Sequence, residues 1–272
     1  MFGAPQVASS WLVCYDCMVR NGAIPGRPLA FGALQPLKMP SSLPCDSCIG
    51  RTLNLCRPLD DVRLQHLLSL GGIRHWKRHE TLFRAGDPIG AFFKIRKGIV
   101  AVAHTLDDGR RQITALRAPG DCVGYLDRDG RYAFEGQALT DVEACAFDRR
   151  KFDAYVAQHP DLAAALVEAL SSALKQSGML SLVLGQLRST ERVAHFLAEI
   201  SALYAERHVS FAQPLTLHMG RNEIADYLGL TIETVSRSIG KLKSRNIIAL
   251  VESGEVVILD FERLRDAGKV TG

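Results

Sequence analysis

GRNEIADYLGLTIETVSR, residues 220–237, is the stretch on which the reading of this chain turns. Gly220 to Tyr227 suits a short helix, and L-G-L-T at 228–231 a tight turn. Thr231 is placed to cap a second helix by accepting from its free amides. At about 100° per residue, Val235, Ile239 and Leu242 fall on one side of that helix, and Glu233, Ser236, Arg237 and Gly240 on the other. The first face anchors and the second is free to read. Arg237 carries the fork that donates to guanine O6 and N7, Glu233 can accept from cytosine N4, and Ser236 can contact a base or a phosphate. Arg221, Lys241, Lys243 and Arg245 surround this face and suit phosphate oxygens. The plainer alternative is a solvated helix with an internal Glu233–Arg237 ion pair; the preceding short helix and turn favour DNA. Residues 247–251 and 255–259 flank Ser253 and Gly254 as the strands of a wing.

Upstream, a helix is expected from Ser189 through Tyr204, and a longer one follows Pro160. In the long tract Leu162, Leu166, Leu170, Ala173, Leu174, Leu180, Val183, Leu184 and Leu187 form a broad apolar surface, with Gly178 its weak point. Such a surface needs a cover, either within the chain or from a second copy across a two-fold axis. From Arg74 to about Asp148 the period changes to two. A-F-F-K-I-R-K-G-I-V-A-V-A-H and R-Q-I-T-A-L alternate between Gly86, Gly98, Gly109 and Gly120, as in an antiparallel roll or jelly roll. A short helix near 60–70 precedes it. The expected class is α+β. Residues 1–44 form a flexible arm interrupted by prolines, 45–73 a cysteine loop with a short helix, and 74–158 a β-roll sensor. Residues 159–187 form a dimerisation helix and 188–272 a winged helix-turn-helix.

The 272 residues suffice for a substantial core without disulfides. The 33 Lys and Arg against 29 Asp and Glu leave a charge of +4, which permits nucleic-acid binding without establishing it. No apolar run approaches the roughly 18 residues that span a bilayer, and the N-terminus lacks the pattern of a signal peptide. A cytoplasmic protein with no membrane partner is expected, in which seven cysteines serve metal or redox chemistry rather than a disulfide framework.

Cys45, Cys48 and Cys56 put three thiols on one compact loop, and a fourth would complete tetrahedral zinc or an iron–sulfur cluster. Spacing alone does not choose between them. Cys122, in A-P-G-D-C-V-G, and Cys145, in the strand-like A-C-A-F, each qualify as the fourth ligand or as small buried apolar residues. Cys14 and Cys17 form a second C-x2-C pair in proline-rich surroundings, read as fortuitous or accessory. Two competing functions use the same residues. One is a zinc-stabilised module that binds DNA or protein without sensing oxygen; the other is a thiol redox enzyme at Cys45 or Cys48, for which C-x2-C alone is weak support.

Taken together these motifs resemble the FNR branch of the CRP/FNR family of bacterial transcription regulators, over roughly residues 43–265. The resemblance rests on E-x2-S-R at Glu233, Ser236 and Arg237, L-F-x-A-G-D at 82–87, the A-P-G-D-C-V-G turn at 118–124 and E-R-V-A-H-F at 191–196. It implies a non-enzymatic regulator whose [4Fe-4S] cluster is held by Cys45, Cys48, Cys56 and Cys145, because A-L-T-D-V-E-A-C-A-F at 138–147 matches the stretch that carries the fourth ligand. It further implies activation of genes at low oxygen, homodimerisation, inverted TTGA-like half-sites on double-stranded DNA and RNA polymerase as a partner. Three departures stand out. The x7 interval before Cys56 is longer than in the best-known arrangement, Met179 replaces an acidic residue of the dimer helix, and the roll lacks the R-S/T arrangement that binds the phosphate of a cyclic nucleotide.

Overall fold

The computed structural model describes residues 43–125, 127–207, 215–251 and 255–270, and the side chains of Asp127 and Arg128 are not described. Cys14, Cys17, nearly all of the expected arm, and Ser253 and Gly254 at the expected wing tip lie outside these residues. Among them no helix is long and apolar enough to cross a membrane.

The described residues open with two short 3-10 turns, Ile49–Thr52 and Asn54–Cys56, and helix α1, Asp61–Ser69, capped by Asp60, which accepts from the amide of Arg63. Ten strands follow: β1 Gly71–Trp76, β2 Thr81–Phe83, β3 Ala91–Lys97, β4 Val100–Thr105, β5 Arg111–Arg117, β6 Cys122–Val123, β7 Asp127–Arg128, β8 Arg131–Tyr132, β9 Glu135–Ala138 and β10 Val142–Asp148. They pair antiparallel in two four-stranded sheets, ordered β1-β10-β3-β6 and β2-β9-β4-β5, with β7 and β8 in a separate hairpin. The α+β class and the antiparallel β-roll expected from the sequence are what the structure shows.

Period-two alternation divides the roll into faces. Phe93, Ile95, Val142, Ala144 and Ala146 point between the sheets and meet Phe83, Val100 and Ala138. On the opposite face of the first sheet, Phe92, Cys145 and Phe147 pack beneath a helical layer made of Leu64 and Leu67 of α1, Phe152 and Tyr155 of α2 (Arg149–Ala157), and Leu162 and Leu166 of α3 (Pro160–Gln186). The Phe92, Phe147 and Phe152 rings lie 4.6–5.9 Å apart between centroids, within the range of favourable aromatic pairs. Both central strands of this sheet are therefore covered on both sides.

Helix α3 has Pro160 in its first turn, where the missing amide is harmless, and runs unbroken through Gly178 for 27 residues. Its first turns bury Leu162, Ala165 and Leu166, but Val167, Leu174, Met179 and Leu182 remain exposed, so part of the apolar surface has no cover among the described residues.

Beyond it come α4 (Ser189–Glu206), α5 (Arg221–Leu228), α6 (Ile232–Ser244), the hairpin of β11 (Ile248–Leu250) with β12 (Val256–Ile258), and α7 (Phe261–Ala267). Gly229 ends α5 at φ +59°, a left-handed cap where glycine adds no strain. Thr231 then caps α6 by accepting from the amide of Thr234. Val235, Ile239 and Leu242 of α6 are buried with Val193, Phe196, Leu197 and Ile200 of α4. The same core continues into Ala101, Ala103 and Ile113 on the outer face of the second sheet. The order of layers is thus helices with the cysteine loop, first sheet, second sheet, helix-turn-helix domain.

Candidate cysteine centre and nucleic-acid interface

The loop ahead of α1 is held by a succession of tight turns. The amide of Cys48 donates to Cys45 O at 3.0 Å, that of Arg51 to Cys48 O at 2.8 Å, and that of Leu59 to Cys56 O at 3.1 Å. The seven residues between Cys48 and Cys56 are taken up largely by the two 3-10 turns, with Asn54 at φ +47° beginning the second. The longer interval therefore coils rather than protrudes. Cys45, Cys56 and Cys145 are buried in one cluster with Leu55, Leu59 and Leu64, Cys48 is half-buried beside them, and Cys122 packs against the edge of the cluster. Burial, opposed by Arg96 and reinforced by the thiols of Cys56, Cys45 and Cys48, drives the Cys145 thiol up to about 12. Cys45 is raised by burial and then by Cys56 and Cys48. Cys122 also reaches about 12 through burial, against the pull of Lys94. Thiols 45, 48, 56 and 145 are thus brought within electrostatic range of one another.

All five cysteines in this region are free thiols. Among the described residues no group of three or more His, Cys, Asp or Glu is arranged to hold a metal ion. The donors that do converge are sulfur, the ligand type of iron–sulfur centres.

Two cations reach the same place. Lys94, 2% exposed, donates from Nζ to Gly50 O and Leu53 O. Arg96 pairs with Glu143 at 2.6 Å and donates to Pro44 O, the nearby Cys48 thiol favours its charged form, and its buried Nε has no partner among the described residues. Neither residue stood out in the sequence. In A-F-F-K-I-R-K they look like the solvent face of a strand, and the only signal was their alternation with buried aromatics.

A polar bridge leads away from the loop. Asn54 donates to Gly120 O at 3.0 Å, and Arg207, at the end of α4, donates to Pro119 O at 3.2 Å and lies 3.6 Å from Asp121. Gly120 sits at φ +96°, and a Cβ there would meet Leu53 at 2.8 Å and Arg207 at 2.9 Å. The 118–121 turn is wedged between the cysteine loop and the domain that carries α6. Farther round, Arg111 bridges Glu135 at 3.0 Å and Asp226 of α5 at 3.4 Å.

On α6 the side chains of Glu233, Ser236, Arg237, Lys241 and Lys243 are exposed, Arg245 is exposed at the C-cap, and Arg221 is half-buried at the start of α5. The internal Glu233–Arg237 ion pair is absent among the described residues. Arg237 instead donates to Thr234 Oγ1 at 3.2 Å. The Glu233 carboxyl is held below its usual range, first by its own backbone amide, next by the Thr231 hydroxyl and more weakly by Arg237. It acts on the N-terminus of its own helix, where backbone amides favour an anion.

Residues 191–267 match the family described as the Crp-like helix-turn-helix domain, and residues 73–159 match the cyclic nucleotide-binding domain. The chain is 35% identical over 221 residues to the nitrogen fixation regulation protein FixK of Bradyrhizobium diazoefficiens, spanning 81% of this chain and 92% of that one. It is 36% identical over 211 residues to the transcriptional activator protein anr of Pseudomonas aeruginosa, spanning 76% and 85%. Among solved structures, FixK2 from Bradyrhizobium japonicum superposes with a TM-score of 0.67 at 27% identity, covering 74% of this chain and 99% of that one.

Proposed function

The chain belongs to the CRP/FNR family of transcription regulators, close to its FNR-type oxygen-responsive members, and on that premise we propose that it activates transcription at low oxygen through a [4Fe-4S] cluster held by Cys45, Cys48, Cys56 and Cys145. The observation that supports this reading is the burial of Cys45, Cys56 and Cys145 in one cluster, from positions up to a hundred residues apart, with the half-buried Cys48 thiol within electrostatic range of them. A bound cluster would supply oxygen-sensitive redox chemistry at that place. Cys45, Cys48 and Cys56 would fasten the loop to β10 through Cys145, and Asn54 with Gly120 would carry the loop's position towards Arg207 and the DNA-binding domain.

Dimerisation would cover the exposed Val167, Leu174, Met179 and Leu182 of α3 with the same face of a second copy. Two α6 helices then address half-sites about 34–36 Å apart, with inverted TTGA-like sequence the expectation from the family resemblance. Arg237, Glu233 and Ser236 read bases in this scheme, while Arg221, Lys241, Lys243 and Arg245 hold phosphates. RNA polymerase is the partner through which a DNA-bound activator acts.

Anaerobic purification followed by iron, acid-labile sulfide and zinc analysis tests the reading, together with DNA titrations before and after exposure to air. Stoichiometric iron and sulfide, with specific affinity that falls in air, is the expected result. Zinc without sulfide, and affinity indifferent to air, would replace it with the zinc-stabilised module.

A further inference from the structure

Lys94 is a buried lysine with no acidic partner among the described residues. Its residue is 2% exposed, its Nζ donates to two backbone carbonyls, Gly50 and Leu53, and no carboxylate among the described residues lies within ion-pair distance of it. Taking an ammonium out of water is unfavourable, and carbonyl dipoles offset only part of the loss of hydration. Buried charges in folded proteins are therefore paired or lie against a metal centre.

The surroundings show which anion is missing. In the β3 ladder Lys94 stands directly opposite Cys145 on β10 and directly opposite Cys122 on β6. Residues opposite each other across antiparallel strands project to the same face, so Lys94 rises between two sulfurs. The carbonyls it holds belong to the segment that joins Cys48 to Cys56. Arg96, two residues along on the same face, already has Glu143, whereas Lys94 has no such counterpart among the described residues. Four thiolates outweigh the positive charge of a cubane iron–sulfur core, and the assembly is a net anion.

We propose that Lys94 is the resident counter-charge of the cysteine centre: a positioning residue whose ammonium, fixed beside Cys145 and bonded to the Gly50 and Leu53 carbonyls, favours the loaded anionic centre and raises its reduction potential. This inference rests on the iron–sulfur reading above. The competing role is a simple tether, in which Lys94 does no more than bond two loop carbonyls and its charge is incidental. The two differ in one measurable respect. A tether affects how readily the centre assembles, while a charge also moves the energy of adding an electron.

The test compares wild type with Lys94→Met, which keeps the length and apolar stem, Lys94→Gln, which keeps a donor without charge, and Lys94→Arg, which keeps the charge. Each full-length chain is reconstituted anaerobically with ferrous iron and sulfide. Iron and sulfide are counted, the midpoint potential and the rate of bleaching in air are followed by absorbance, and the apo form is melted separately. The apo melts of K94M and K94Q are expected at or above that of wild type, because an unpaired buried charge has gone. Their hold on iron is expected to fall by ~10-fold or more, the range for loss of a partner that supports metal ligands. Their midpoint potentials are expected to shift negative, their bleaching to quicken, and K94R to return towards wild type.

Loading, bleaching and potential that match wild type in K94M and K94Q overturn the proposal. So does reduced loading at an unchanged potential, which identifies a tether. If K94M and K94Q take up nothing while their apo melts are intact, K94R decides: loading in K94R supports the counter-charge, and an equally empty K94R overturns it. Wild type that itself takes up no iron and sulfide sinks the iron–sulfur reading and this inference together, an outcome distinct from loss of the Lys94 role alone.

Discussion

On α6, Arg237, Lys241 and Lys243 stand in open solvent, while on β3 Lys94 lies at 2% exposure beneath a loop of cysteines and Arg96 is nearly as enclosed. Both groups are positive, and both face a site proposed for an anion. The exposed set keeps its hydration until DNA arrives, so its contribution is screened by salt and gained only on binding. The buried set gives up hydration when the chain folds, and it needs a fixed anion at the same place. A surface that meets its anion in passing can vary its charges singly; a centre that houses one cannot.

The largest effect separates the two cysteines nearest Lys94. Cys145→Ser is expected to lose most of its iron and sulfide and, with them, anaerobic DNA affinity. Cys122→Ser is expected to spare both, because Cys122 only packs against the rim of the cluster. Iron and sulfide counts with a DNA titration on each variant decide it. Full loading of the Cys145 variant with loss in the Cys122 variant would reverse the assignment.

Much of the exposed end was legible in the sequence because its signals are local. Thr231 caps the helix that its spacing announced, Gly229 takes the left-handed turn, and Val235, Ile239 and Leu242 face inward. Glu233 was half legible. Its place on the outer face was plain, but its hold on its own helix amides, in preference to Arg237, depends on cap geometry that residue spacing does not carry. The buried end was legible in its thiols and not in its charges. Alternation in A-F-F-K-I-R-K correctly separates two faces of β3, yet which face meets water depends on the loop forty residues upstream folding back over Lys94. The Asn54, Gly120 and Arg207 bridge escaped for the same reason, since its members are distant in sequence and only Gly120, read as a turn glycine, belongs to a pattern.

That bridge gives a second way to sharpen the comparison. Gly120→Ala meets both a left-handed backbone at φ +96° and collisions with Leu53 and Arg207, whereas Gly109→Ala, at φ +86°, has nothing within 4 Å. The control is expected to lose about 1–2 kcal/mol for the backbone alone. G120A is expected to lose measurably more in a denaturant titration, because the turn is clamped between the cysteine loop and the end of α4. Equal losses would show that the clamp yields freely and conveys nothing between the two ends.

Arg237→Ala comes next. It removes an exposed side chain with no cavity, so the melt should stay where it was, while discrimination between specific and scrambled duplexes should fall by about 1–3 kcal/mol. Equal weakening on both duplexes would reassign Arg237 to the phosphates and move the base reading elsewhere on α6.

Lys243→Ala should have the smallest effect, and it probes the general rule for exposed charge most directly. Lys243 lies in the last turn of α6, exposed and in no ion pair among the described residues, so its loss disturbs no internal partner. A phosphate contact carries no sequence information, and affinity should fall by a similar factor on specific and scrambled DNA. The contact also displaces a counterion, so the slope of log affinity against log salt should become shallower by about one phosphate's worth. Lys94 makes the contrasting case, because a charge sealed beneath the cysteine loop cannot exchange its counterion with bulk salt, and K94M should leave the salt slope of a loaded dimer unchanged. A Lys243 variant whose salt slope matches wild type would show that the exposed row does not meet phosphates there, and the contrast between the two ends would then rest on Arg237, Lys241 and Arg245.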